Sequence, residues 1–208
     1  MKILVTGKNG QLGKSIQKIV DGKNKQKFKS YDFVFIGRNE LDFFNISDIN
    51  YFFDNNYFDV VINCAAYTQV DQAESDEKKA NLINHIAVKE IAKISKKNNM
   101  NLIHISTDFV FDGLNKRPYC ENDKTLPLNV YGKTKLAGER AILSIMEFNA
   151  IILLSVVPVA KIIPFFVAAI PPLLNVPILN SFPSLTIFPN GTLQSIEPVS
   201  RSYATISP

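Results

Sequence analysis

KILVTGKNGQLG, residues 2–13, holds a β-rich run, three glycines and the first turn of a helical pattern. Lys2 to Thr6 reads as a strand. Gln11 to Val20 follows with Leu12, Ile16, Ile19 and Val20 at helical spacing. Between them Gly7, Gly10 and Gly13 stand at G-x-x-G-x-x-G spacing. Gly7 permits a tight turn. Gly10 lets the backbone approach a pyrophosphate, and Gly13 lets the helix pack close on the strand. Gln11 and Leu12 open the helix, whose free N–H groups and positive end favour an anion. A plain strand-to-helix turn seldom needs all three glycines, and their context is that of a dinucleotide site.

The same rhythm continues outward. Asp32–Ile36 is a second strand, and Ser47 is the expected N-cap of a helix to about Asn55. Asp59–Asn63 is a third strand. Ser75–Asn98 reads as one long helix with Ile83, Ile86, Ala87, Ile91 and Ile94 on a stripe. Asn101–Ser106 is a fourth strand, Val130 to about Met146 a further helix, and Ala150–Leu154 a fifth strand. Strands that alternate with helices, each a nearly continuous apolar run, imply right-handed βαβ units. The expected class is α/β, a doubly wound parallel sheet of Rossmann type. Ligands on such sheets lie beyond the carboxyl ends of the strands.

Those ends carry the candidate site. The second strand ends Ile36-Gly37-Arg38 without a carboxylate for a ribose 2′-hydroxyl. Arg38 could receive a 2′-phosphate, which favours NADPH over NADH, or be a solvated surface arginine. Asp42 reaches the adenine side or sits in a loop. After the third strand, Ala65, Ala66 and Tyr67 follow Cys64, and the small residues suit a flat dinucleotide. The fourth strand's end is expected beside the first's, which would set the Thr107 hydroxyl against the nicotinamide. Tyr131 and Lys135 are four apart on the following helix, hence on one face. Hydride transfer to a carbonyl carbon leaves an alkoxide that needs a proton. Tyr131 would supply it, Lys135 would stabilise the phenolate and hold ribose hydroxyls, and Thr107 would bond the oxyanion.

Asn63–Asp76 (NCAAYTQVDQAESD), His104–Gly113 (HISTDFVFDG) and Pro127–Glu139 (PLNVYGKTKLAGE) carry a resemblance. They resemble the extended short-chain dehydrogenase/reductases and, within them, the dTDP-4-dehydrorhamnose reductase family, over roughly the first 150 residues. The resemblance implies NAD(P)H-dependent reduction of the C4 ketone of dTDP-4-dehydro-L-rhamnose, for surface polysaccharide. It implies Thr107, Tyr131 and Lys135 as the catalytic set. It implies Gly7, Gly10, Gln11, Leu12, Gly13, Ala65 and Ala66 as cofactor contacts. Asp71 and Glu74 match a family segment, with a substrate role and helix capping both open. Family members pair through carboxylates of a distal lobe, sometimes with magnesium. No equivalent is identifiable here, and a homodimer is left open.

Composition limits the alternatives. A net charge of +4 over 208 residues is too weak and scattered to argue for nucleic acid. Cys64 and Cys120 have no metal-type spacing, and with only His85 and His104 beside them no metal site is expected. Met1-Lys2 leads straight into the first strand, so a cytoplasmic setting is expected. The averages conceal a break. Residues 1–140 hold 38 charged side chains and residues 141–208 only four, while nine of eleven prolines lie in the latter. Residues 150–174 are long enough to span a bilayer, but Pro158, Pro164, Pro171 and Pro172 interrupt them, so no membrane is expected. We divide the chain into a dinucleotide-binding domain, 1–153, and an apolar, proline-rich tail, 154–208, in place of a substrate lobe. The tail is expected to be irregular and incomplete, and a reading-frame change would produce it. Two other functions stay open. One is a dinucleotide-binding regulatory subunit without turnover, as in methionine adenosyltransferase. The other is an inactive, truncated or frame-shifted reductase.

Overall fold

The computed structural model describes residues 1–22, 25–117, 119, 123–146, 150–154, 184–187 and 193–196. Five strands form one sheet: β1 (Lys2–Thr6), β2 (Asp32–Ile36), β3 (Val60–Asn63), β4 (Asn101–Ser106) and β5 (Ala150–Leu154). Their order is β2-β1-β3-β4-β5, and every pairing is parallel. The doubly wound α/β expectation is met. β6 (Ser184–Ile187) and β7 (Leu193–Ile196) pair antiparallel in a second, two-stranded sheet. The rest of the tail lies outside the described residues, and so do Cys120 and the expectation of an irregular tail.

The helices are α1 (Gln11–Asp21), α2 (Ile46–Asp54), α3 (Val70–Ala73), α4 (Glu77–Asn81), α5 (Ala87–Lys97) and α6 (Val130–Ile145). Leu4, Val61 and Leu102 stand side by side in register across β1, β3 and β4. They share one core cluster with Ile49 and Phe53 of α2, Val88 and Ile91 of α5, and Ile142 of α6. Burial of such side chains contributes about 1.5–3 kcal/mol each, which fixes the sheet under its helices. Strand residues two apart share a face. The next row on that face is therefore Thr6, Asn63 and His104, again in register and all buried. A polar row thus crosses three strands just above the hydrophobic one.

Three local expectations are corrected. The α2 cap is Asn45, not Ser47. Asn45 has extended backbone, and its side chain accepts from Ser47 N at 3.1 Å. Both residue types cap well, and the backbone turns into helix two residues earlier than expected. The helix expected over residues 75–98 is broken. α3 precedes it, the chain bends at 74–76, and a π turn at Leu82–Ile86 joins α4 to α5. The extra residue of a π turn re-aims a side chain, here Asn84. Third, β4 does not adjoin β1, because β3 lies between them.

Candidate active site

The glycine turn sits where the sequence put it. Gly7 has φ +72°, and a Cβ there would stand 2.8 Å from Ala65 N and from the Cys64 carbonyl carbon. Gly10 caps α1 without any side-chain bond, and its own N–H donates to Gly7 O at 2.9 Å. The first N–H groups of α1 therefore open outward uncapped, which suits a phosphate. A Cβ on Gly13 would collide with Gly7 O, so that glycine serves helix packing.

A cleft of about 890 Å³ runs over these strand ends. Gly7, Gly10, Gln11, Leu12, Arg38, Asp42, Ala65, Ala66, Tyr67, Tyr131 and Lys135 line it. Gly13 and Thr107 do not. The cradle and the cleft fit an extended dinucleotide, with phosphates at α1 and the far ring toward α6.

The β2 end differs from expectation. A carboxylate does reach it: Glu40 Oε2 accepts from Gly37 N at 2.9 Å, and Glu40 also pairs with Lys8. Lys8 and the Gly37 N–H together hold the Glu40 carboxyl below its ordinary value. Glu40 lies four positions past the end of the strand. Arg38 packs on the Phe44 ring at 4.6 Å and pairs with Asp42 at 3.4 Å. Asp42 also accepts from Phe44 N at 3.0 Å, so it both lines the cleft and closes its own loop.

At the other end, Asn129 caps α6 by accepting from Gly132 N at 2.7 Å, and Glu74 Oε1 accepts from Val130 N at 2.7 Å. Glu74 is thus a helix cap, one of the two roles left open for it. Asn84, aimed by the π turn, accepts from Tyr67 N and donates to Tyr67 O and Thr134 Oγ1. Thr134 in turn donates to Tyr131 O at 2.8 Å. The cleft wall and the tyrosine are therefore locked to each other. Asn84 lay inside an expected regular helix, and nothing in its spacing marked it.

Tyr131 meets Thr107: a hydrogen bond with that hydroxyl lowers the phenol, while burial, the larger effect, and Asp108 raise it. The net shift is upward. The expectation that Lys135 brings the phenol toward neutral pH is not met, because the ammonium is engaged elsewhere. Lys135 Nζ donates to Ile105 O at 2.6 Å and lies 3.3 Å from His104 Nε2. Burial pushes Lys135 down from 10.5 to about 8, against Glu139, which favours its charge. Glu139 is fully buried one turn further along α6 and accepts from Ser106 Oγ.

This shift has a sign. Between about pH 8 and 10.5 the folded chain holds fewer protons at Lys135 than the unfolded chain, so stability from this site rises with pH there. Lys135→Met removes the effect. Denaturant unfolding should show the wild type gaining up to about 3 kcal/mol on the variant across that window. Equal slopes in both proteins would contradict the assignment.

Comparison with known proteins agrees with this fold. A dTDP-4-dehydrorhamnose reductase of Salmonella typhimurium is 41% identical over 142 residues, 68% of this chain and 46% of that one. A dTDP-4-keto-6-deoxy-D-glucose reductase of Streptomyces niveus is 36% identical, over 69% of this chain and 48% of its own. The chain spans about half the length of these curated relatives. Among solved structures, a dTDP-4-dehydrorhamnose reductase of Clostridium acetobutylicum superposes with a TM-score of 0.68 at 40% identity, covering 74% of this chain and 52% of that one. One from Bacillus anthracis, in complex with NADP, gives 0.67 at 34% identity, over 74% of this chain and 52% of its own. Residues 1–161 match the family model described as RmlD substrate binding domain, and the chain belongs to that family.

Proposed function

We propose that this chain is an NADPH-dependent ketoreductase of a 4-keto-6-deoxy nucleotide sugar, dTDP-4-dehydro-L-rhamnose in the first instance. The observation that carries the reading is that Tyr131 and Lys135 line the same cleft as the glycine turn. Relatives that act on this substrate class support it. The bound nicotinamide would supply a hydride to the C4 carbon. Tyr131 gives its phenol proton to the C4 oxygen, and its raised pKa keeps that proton in place until the oxygen becomes basic. Thr107 orients the phenol. Its hydroxyl also stands 3.1 Å from Asp108 Oδ1 and accepts from Phe109 N, which holds the oxygen in place. Lys135, at the cleft wall, would hold the ribose hydroxyls. The product would be dTDP-L-rhamnose.

The test is NADPH consumption with that substrate by the intact chain, with the product sugar identified. NADPH that binds but is not consumed would instead favour a binding subunit. We also assign the 2′-phosphate to Arg38, which lines the cleft, with NADH as the weaker cofactor. Arg38→Ala should weaken NADPH about tenfold or more and leave NADH unchanged, since a charge-assisted phosphate contact is worth about 1.5–3 kcal/mol. Equal losses for both cofactors, by titration calorimetry, would contradict the assignment.

A further inference from the structure

The polar row Thr6–Asn63–His104 ends on Lys135, and its hydrogen bonds have a fixed direction. Asn63 Oδ1 accepts from Thr6 Oγ1 at 2.7 Å and from the backbone Ala65 N–H at 3.2 Å. The Ala65 N–H also reaches Thr6 Oγ1 at 3.3 Å, but turning the Asn63 amide over would set its NH2 against that N–H, donor against donor, which disfavours the flip. The Asn63 NH2 therefore faces His104 Nδ1, 3.1 Å away. A neutral imidazole carries one proton. Nδ1 has to accept from Asn63, so the proton sits on Nε2. Charging the ring is strongly opposed: burial, and then the Lys135 charge, hold His104 well below its ordinary value.

Nε2–H points at Lys135 Nζ, 3.3 Å away. Toward an ammonium this sets donor against donor. Toward an amine it is a hydrogen bond to the lone pair, and the amine still has an N–H for Ile105 O. We propose that His104, held in its Nε2–H tautomer by Thr6 and Asn63, is a positioning residue that donates to Lys135 and sets the protonation of that lysine. The inference concerns the lysine of the proposed reductase site and rests on that reading.

The groups facing Lys135 divide as follows. On α6, Glu139 lies one turn after it and favours the ammonium, and Tyr131 lies one turn before. Cys64, after β3, is a neutral thiol there, pushed up to about 12 by burial. From β4, the Ile105 carbonyl accepts in either state. Burial and the His104 N–H favour the amine. The balance leaves a lysine that gains and loses its proton near working pH.

The test uses the full chain with isotope-labelled histidine and lysine. The chain has two histidines, so His85→Gln assigns the His104 signals in a long-range proton–nitrogen correlation spectrum. The expected spectrum is that of the Nε2–H tautomer, unchanged into mildly acidic pH. An Nδ1–H tautomer, or an imidazolium near neutral pH, would overturn the proposal. In the second arm, His104→Gln places an amide oxygen where Nε2–H stood, able to accept from an ammonium. The Lys135 side-chain titration, identified by its loss in Lys135→Met, should then move upward by about one pH unit. A midpoint that stays in place in a folded variant would also overturn it. Should the Gln variant fail to fold, the wild-type tautomer still decides. Neither arm needs turnover, so a failed reductase assay and a failed tautomer are told apart.

Discussion

Tyr131→Phe is expected to lower keto-sugar reduction by about 10²- to 10⁴-fold, the range for losing a general acid, with NADPH affinity unchanged. The ring itself has a purely structural seat. It packs edge-on to Phe109 at 5.6 Å and joins Ala73 and Ala80 in a small apolar cluster. Phenylalanine keeps those contacts. The hydroxyl lost is the one that meets Thr107, and Thr107 retains its bonds to Asp108 and Phe109 N. The variant should therefore fold, bind cofactor and fail at chemistry. Steady-state kinetics beside NADPH titration separates the two effects. A variant with unaltered kcat would remove Tyr131 as the proton donor.

Gly7→Ala should be strongly damaging, to stability and to cofactor binding together. A left-handed residue with a side chain costs about 1–2 kcal/mol, and Gly7 has φ +72°. The added carbon would also stand 2.8 Å from both Ala65 N and the Cys64 carbonyl carbon. Those backbone atoms cannot yield freely, because Ala65 N is tied to Thr6 Oγ1 and Asn63 Oδ1. Together these effects should cost about 3 kcal/mol or more and weaken NADPH binding at least tenfold. Gly113 is the control. It has φ +74° but nothing within 4 Å of an added Cβ. Gly113→Ala should cost only the conformational part, about 1–2 kcal/mol, and leave NADPH binding alone. Equal losses at the two positions in urea unfolding would show that the close approach at Gly7 carries no energy.

Local signals explain what could be read in advance. The bounds of β1, β2, β4 and β5 follow from apolar runs ended by polar or glycine residues, and the glycine turn and the Tyr131–Lys135 pair follow from spacing. The missed features depend on partners distant in sequence. Asn84 acts through Tyr67 and Thr134, and the π turn that aims it lies inside a seemingly regular stripe. His104 carries no spacing signal of its own, because its partners come from β3 and α6. Glu40 reaches back from a loop to Gly37. The position of β3 between β1 and β4 is a matter of winding, which strand–helix alternation leaves undetermined.

One experiment bears most directly on the whole account: a single turnover, with the intact protein in excess over NADPH and dTDP-4-dehydro-L-rhamnose added. The nicotinamide absorbance should decay with the wild type, one sugar reduced per NADPH lost, and stay flat with Tyr131→Phe. Wild-type protein that holds NADPH in the cleft and leaves it unoxidised would contradict the account.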